Sequence, residues 1–127
     1  MAARPENIGV VRHVLDVLTE IGMDRAEVAD IRLAVTEACS NVVRHAYDDT
    51  PGPMEVVVGP IGDALAVTVS DRGRGGVGSR DDSGPHFGLT VMTTVSQSIE
   101  VEQHVGTGSR VSMYFPLDPS PRDAVNA

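Results

Sequence analysis

The sequence contains no tryptophan, and aromatic residues make up only 3% of its 127 residues. We therefore expect a hydrophobic core built from Val, Leu, Ile, Ala and Met side chains. The length predicts one domain that is large enough to bury such a core. Glycine and proline are plentiful and cluster between residues 50 and 88, which indicates functional loops in that part of the chain.

Basic residues and long apolar runs are also scarce. The net charge of −8 argues against a nucleic-acid-binding surface, which requires an excess of Lys and Arg. No apolar run approaches the roughly 20 residues that span a bilayer, and Arg12, Asp16 and Glu20 interrupt any signal segment. The single Cys39 lies in an apolar helical pattern, which predicts a buried free thiol in a reducing compartment. We therefore expect a cytoplasmic protein without direct contact to nucleic acid or membrane.

Apolar residues at three- and four-residue spacing predict two helices in the first third of the chain. The first helix is expected from Glu6 to Gly22. The second begins with a capping-box pattern at Asp24 and Glu27 and ends near Ala46. Its predicted buried positions are Val28, Ile31, Val35, Ala38 and Val42.

The remainder of the chain shows mainly strand patterns. Met54–Gly59 and Ala64–Ser70 are β-branched runs that predict an antiparallel hairpin, and Ser98–Gln103 and Arg110–Pro116 predict a second pair of strands. A short helical pattern at Gly88–Val95 lies between the two pairs. This order predicts an α+β fold, a two-layer sandwich with helices on one face of a mixed, mostly antiparallel sheet. The domain is expected to span residues 1–117, and residues 118–127 are expected to form a flexible tail.

Glu37 and Asn41 are candidates for chemistry on the second helix. Residues four apart lie only about 40° from each other around a helix, and this pair borders the predicted apolar stripe. A carboxylate in that position can be partly desolvated and act as a base. The amide oxygen can complete the shell of a magnesium ion that keeps water and phosphate ligands. The alternative is an ordinary solvated helix face.

A second candidate is the segment Asp71-Arg-Gly-Arg-Gly75, which follows a hydrophobic strand. An ionised Asp71 only accepts hydrogen bonds, which suits the exocyclic amine of adenine. Gly73 and Gly75 lack Cβ atoms, so the backbone can approach a flat ring. The alternative is a strand-ending Asx turn. The polar loop Gly76–Phe87 is then either a lid over phosphates or a surface insertion.

Other common site motifs are absent from the sequence. There is no GxxxxGK[ST] phosphate loop and no GxGxxG fingerprint after a strand. The four His residues and one Cys show no zinc-ligand spacing.

Taken together, these segments resemble the GHKL ATPases, which have the Bergerat ATP-binding fold. Thr36–Tyr47, of the form E-A-x-x-N-x-x-x-H-x-Y, resembles the N box of the anti-sigma serine kinases of the RsbW and SpoIIAB type. Asp71–Gly75 resembles the first glycine box, and Phe87–Met92 resembles the second. Gly108-Ser109 is where the family has its last Gly-Thr pair. The resemblance covers about residues 6 to 117.

The resemblance implies an ATP- and Mg²⁺-dependent protein-serine/threonine kinase. Glu37 would be the catalytic residue that polarises the attacking hydroxyl, and Asn41 would hold Mg²⁺. Asp71 would bind the adenine amine, with Ser109 supporting the base. The remaining residues expected at the nucleotide are His45, Gly73, Gly75, Gly88, Leu89 and Thr90. The implied partners are a sigma factor, which is sequestered, and an anti-anti-sigma protein of the STAS type, which is phosphorylated, in the regulation of transcription under stress.

Three features depart from the family pattern. His86 replaces the first glycine of the second box, and the lid is short. The family's N-terminal strand, which helps to form a homodimer, is expected to be missing because the first helix starts almost at once. These departures motivate an alternative, a nucleotide-gated binding module with little or no turnover. A histidine-kinase catalytic half is a weaker hypothesis, because no dimerisation helix with a phosphoacceptor His is present.

Overall fold

The computed structural model describes residues 1–74 and 92–117. Three α-helices come first, and α3 continues directly into a π-helical turn: α1 (Pro5–Leu15), α2 (Val17–Glu20), α3 (Arg25–Asn41) and the turn Val42–Ala46. Four strands follow: β1 (Met54–Ile61), β2 (Ala64–Asp71), β3 (Ser98–His104) and β4 (Gly108–Pro116). Residues 92–95, at the end of the predicted helix Gly88–Val95, are helical. The remainder of that helix, the predicted lid and the predicted tail lie outside the described residues.

The predicted first helix is interrupted at Asp16. The Asp16 N–H donates to the His13 carbonyl at 3.1 Å, and the Thr19 N–H donates to the Asp16 carbonyl at 3.1 Å. These bonds join residues three apart, which tightens the chain into a 3₁₀-like turn between α1 and α2. Gly22 ends the segment as predicted, and its φ of 107° is a conformation that glycine adopts without strain.

The helix α3 follows the prediction closely, apart from its first turn. All five predicted core positions are buried, and the helical segment ends at Ala46. The capping box is wrong, because the Asp24 side chain makes no cap hydrogen bond. Partial burial, followed by repulsion from Asp30 and Asp24, raises the pKa of Glu27. A Glu27 carboxylate between two other carboxylates therefore gains little from turning back toward the helix start.

The described strands form one antiparallel sheet in the order β1-β2-β4-β3. Gly62, with φ of 57°, and Asp63 make the two-residue turn between β1 and β2. Burial alternates along β2, so that Leu65, Val67 and Val69 face the helices. The α+β expectation of helices on one face of a sheet is confirmed, and the described part of the sheet is purely antiparallel.

The core lies between the helices and this face of the sheet. As predicted, aliphatic side chains and methionines form most of it, but Phe115 on β4 is fully buried as well. The largest other side chains with almost no exposure are Leu15, Ile31, Met54, Met92 and Met113. Because both the helices and the sheet contribute side chains to it, the core fixes α3 against the central strands β2 and β4.

The N-terminal residues contact the edge of the sheet through one isolated β-bridge, and the described residues form no strand before α1. Ala2 forms an antiparallel bridge with Pro53, just before β1. The Ala3 N–H donates to the Gly52 carbonyl at 2.9 Å, and the Met54 N–H donates to the Met1 carbonyl at 2.7 Å. A short β-bridge therefore precedes α1 at the outer edge of β1. Among residues 1–74 and 92–117, no helix has the length and apolar character needed to cross a membrane.

Candidate functional site

Asp71 is the last residue of β2, and only 8% of it is exposed. The alternation along β2 turns its side chain toward the helices, on the same face as Val69. Its Oδ1 accepts a hydrogen bond from the Gly73 N–H at 2.8 Å, and its Oδ2 accepts one from Ser109 Oγ at 2.7 Å. A buried carboxylate needs such partners, and its two oxygens retain capacity for a further donor. The sequence-predicted residues Asp71, Gly73 and Ser109 thus meet in one cluster.

Gly73 is buried against the end of the helical segment that contains Glu37 and Asn41. A Cβ atom at this position would lie 2.0 Å from the Ala46 carbonyl oxygen. The neighbouring Arg74 N–H donates to the same carbonyl at 3.0 Å, and the Arg74 side chain pairs with Asp48. Contact with Ala46 therefore requires glycine here, and the approach to a flat ring that the sequence suggested stays a prediction.

Gly108 brings the β3–β4 turn onto Asp71 from the other side. Its φ is 122°, and a Cβ atom would lie 2.1 Å from the Asp71 carbonyl oxygen. The Gly106 N–H donates to the Arg74 carbonyl at 3.0 Å. This close approach places Ser109 within hydrogen-bond distance of the Asp71 carboxylate, in the position where the family resemblance expects a hydroxyl.

Tyr47 also belongs to this cluster, although the sequence pattern that contains it predicts no role for it. Its hydroxyl accepts a hydrogen bond from the Arg72 N–H at 2.9 Å and donates one to the Pro53 carbonyl at 2.5 Å. The available signal was its place at the end of the E-A-x-x-N-x-x-x-H-x-Y pattern. That pattern does not reveal which backbone groups the hydroxyl meets.

Glu37 and Asn41 lie on α3 as predicted, and both are half-buried. Asn41 Oδ1 accepts a hydrogen bond from Arg44 Nη2 at 3.4 Å, a long contact. His45 is half-buried in the π-helical turn. The last residue of this turn is Ala46, whose carbonyl lies against Gly73 and accepts the hydrogen bond from the Arg74 N–H. The two predicted halves of the site are therefore connected through one short segment of backbone.

Cys39 lies between Glu37 and Asn41 in the sequence but faces the core. It is fully buried and has no disulfide partner among the described residues. Burial raises the pKa of its thiol to about 12, so the thiol stays protonated near neutral pH. The prediction of a buried free thiol is confirmed, and Cys39 is not a nucleophile in this fold.

The remaining predicted site residues are not in the described part of the chain. Gly75, Gly88, Leu89 and Thr90, together with His86, lie outside it, so their roles stay predictions. A cavity of about 640 Å³ opens at the same end of the sheet. Asp71 and Ser109 line it, but Glu37 and Asn41 do not.

Comparison with known proteins agrees with this arrangement. Residues 1–115 match the model of the histidine kinase-like ATPase domain. The chain belongs to this family. The expected GHKL-type fold is thereby confirmed.

Two curated relatives and one solved structure place the chain more narrowly. The serine-protein kinase RsbW of Bacillus subtilis is 31% identical over 130 residues, which cover 89% of this chain and 81% of the relative. The RsbW of Bacillus pumilus is 32% identical over 127 residues, covering 82% of this chain and 76% of the relative. This chain is thus a member of the RsbW-type family of ATP-dependent serine-protein kinases.

The structural comparison gives the same result. A crystal structure of the RsbU and RsbW domains of a Mycobacterium tuberculosis protein superposes with a TM-score of 0.72 at 25% identity. The match covers 91% of this chain and 30% of that longer chain.

Proposed function

We propose that this chain is an ATP-binding anti-sigma factor that phosphorylates a Ser or Thr of a STAS-type anti-anti-sigma protein. When it is not bound to the anti-anti-sigma protein, it sequesters a sigma factor in a second complex. Both complexes form in the cytoplasm. Family membership supports ATP as the phosphoryl donor. The names of the RsbW relatives support serine as the acceptor.

The observation that carries the proposal is the fixed carboxylate of Asp71. Gly73 and Ser109 each donate to one of its oxygens, so the group is ordered before any ligand arrives. A preorganised carboxylate accepts hydrogen bonds only, which selects a base with an exocyclic amine. Adenine is such a base, and guanine presents a carbonyl at the corresponding ring position.

The helix supplies the phosphate side. Glu37 would polarise the acceptor hydroxyl, and Asn41 Oδ1 would hold Mg²⁺ together with water and phosphate oxygens. An amide oxygen is a suitable donor for this hard cation, and the 3.4 Å contact with Arg44 is long enough to be replaced. When bound, the ion neutralises negative charge on the transferred phosphoryl group. Positioning and charge neutralisation are most of what such a transfer requires.

The test is transfer of labelled γ-phosphate from ATP to a purified STAS-type partner. Glu37→Gln should lower the transfer rate by about 10²- to 10⁴-fold, because it removes a general base. ATP affinity should change little. Glu27→Gln, in the first turn of the same helix, is the matched control and should transfer at the wild-type rate. Equal transfer by Glu37→Gln and wild type would reject Glu37 as the catalytic residue.

A second candidate is a nucleotide-gated binding module with negligible turnover. Two departures from the family pattern favour it, namely His86 in place of the first glycine of the second box and the short lid. Such a module captures its partner equally well with Glu37→Gln but not with Asp71→Ala. Wild-type phosphoryl transfer that disappears in Glu37→Gln would exclude this candidate.

A further inference from the structure

Tyr47 leaves the π-helical turn in an extended conformation with φ of −128° and ψ of 152°. Its ring is half-buried and lies on Gly52, where a Cβ atom would come within 2.3 Å of the ring. Packing therefore fixes the ring, and the fixed ring sets the position of the hydroxyl. A change to phenylalanine can remove the hydroxyl while the ring keeps its contact with Gly52.

The hydroxyl of Tyr47 accepts a hydrogen bond from a backbone N–H that lies just beyond the end of β2. The strand β2 ends at Asp71, and the next N–H, that of Arg72, donates to Tyr47 at 2.9 Å. The phenol in turn donates to the Pro53 carbonyl at 2.5 Å, directly before β1. A phenol can accept one bond and donate another at the same time, whereas a phenylalanine does neither.

Arg72 lies in the middle of the turn that orders the Asp71 carboxylate. On one side of it is Asp71, and on the other is Gly73, whose N–H donates to Asp71 Oδ1. The bond to Tyr47 fixes the Asp71–Arg72 peptide, to which this N–H belongs. Loss of the bond would let this peptide rotate, and the carboxylate would lose its fixed direction. Ser109 would still hold Oδ2, so the turn should loosen rather than unfold.

We propose that Tyr47 is a positioning residue for adenine recognition, acting through the Arg72 N–H on the carboxylate of Asp71. This proposal rests on the proposed function, since it assigns Asp71 to the adenine amine. It also links the N box, which ends at Tyr47, to the base end of the nucleotide. The N box thereby serves both ends of ATP.

The experiment compares ATP with ITP, which has a carbonyl in place of the 6-amino group of adenine. Dissociation constants are measured by calorimetry with Mg²⁺ for the full chain and for Tyr47→Phe. The variant should bind ATP about three- to tenfold more weakly, the value of one hydrogen bond, and should bind ITP within about twofold of wild type. Only ATP has a 6-amino group that can donate to Asp71, so the preference for ATP over ITP should fall.

Tyr114→Phe is the matched control. This change also removes one phenol hydroxyl, which donates to Glu100 at 3.2 Å on the strand pair β3–β4. Its affinities for both nucleotides should equal those of wild type. If Tyr47 had only a general structural role, Tyr47→Phe would weaken the binding of ATP and of ITP by the same factor. Either that result or unchanged binding of both nucleotides would overturn the inference.

Hydrogen exchange on the wild-type chain gives a second readout that does not depend on the folding of a variant. The Arg72 amide should exchange slowly without nucleotide and more slowly with ADP. Exchange at the rate of a free loop amide would overturn the inference. A wild-type chain that binds neither ATP nor ITP would reject the proposed function itself. Unaltered selectivity in Tyr47→Phe, with normal ATP binding by wild type, would reject only the role of Tyr47.

Discussion

The two halves of the candidate site are built in different ways. The α3 pair, Glu37 and Asn41, lies one turn apart on a single helix whose core positions are fully buried. The Asp71 cluster, which we define as Asp71 with Gly73, Gly108, Ser109 and Tyr47, is assembled from separate segments. Its bonds join residues 25 positions apart for Tyr47 and Arg72, and 38 apart for Ser109 and Asp71.

This difference has a consequence for the response to mutation. Helical periodicity alone sets the relative direction of the α3 pair, so a change elsewhere in the fold leaves it intact. The Asp71 cluster depends on close approaches of backbone at Gly73 and Gly108. A single side chain added at either approach should disturb the Asp71 carboxylate while leaving the relative direction of Glu37 and Asn41 on α3 unchanged.

The largest effect on ATP affinity is expected from Asp71→Ala. The change removes a charged acceptor and leaves the Gly73 N–H without its bond, so ATP affinity should fall by about ten- to hundredfold. Calorimetric titration with ATP and Mg²⁺ measures this. Asp63→Ala, in the exposed β1–β2 turn, is the control and should bind ATP normally. An affinity of Asp71→Ala within the error of wild type would remove Asp71 from the site.

A smaller effect is expected from Gly73→Ala. The new Cβ would meet the Ala46 carbonyl oxygen at 2.0 Å, so the loop must shift. The free energy of unfolding should fall by about 1–3 kcal/mol, as for other overpacked sites, and ATP affinity should fall with it. Urea denaturation provides the measurement. Gly59→Ala meets nothing within 4 Å and should change the free energy of unfolding by no more than about 1 kcal/mol. Equal destabilisation by the two changes would contradict the contact with Ala46.

The smallest effect is expected from Ser109→Ala. This change removes one of the two hydrogen bonds to Asp71, while the bond from Gly73 remains. ATP affinity should fall by about three- to tenfold, corresponding to one hydrogen bond. Ser98→Ala, at the exposed start of β3, is the comparison and should match wild type. A loss as large as that of Asp71→Ala would mean that Ser109 contacts the nucleotide by more than its bond to Asp71.

Most of the secondary structure could be predicted because one periodicity dominates each segment. The α3 core positions recur at helical spacing, and β2 alternates between the two faces of the sheet. The interruption at Asp16 could not be predicted, because it arises from a shift of hydrogen bonds from four-residue to three-residue spacing within an apolar pattern that continues. The bridge between Ala2 and Pro53 could not be predicted either, since a single pair of residues produces no periodic pattern in the sequence.

Within the site, the residue types could be predicted, but their contacts could not. The patterns identified Glu37, Asn41 and Asp71, and the family resemblance added Ser109. The sequence assigned Gly73 to the approach of a ligand, whereas the structure shows a contact with the Ala46 carbonyl. Tyr47 received no role, because nothing in the sequence indicates that its hydroxyl meets Arg72 and Pro53.

By itself, the sequence determined the helices and strands, the aliphatic core, the direction of the α3 pair and the family of this protein. These features depend on residue types and on spacings within single segments. The tertiary structure alone decided how the Asp71 carboxylate is held and how Tyr47 connects the N box to it. Packing of α3 against the sheet brings these distant segments together. No periodicity along the chain encodes which backbone N–H will then lie within hydrogen-bond distance of which oxygen.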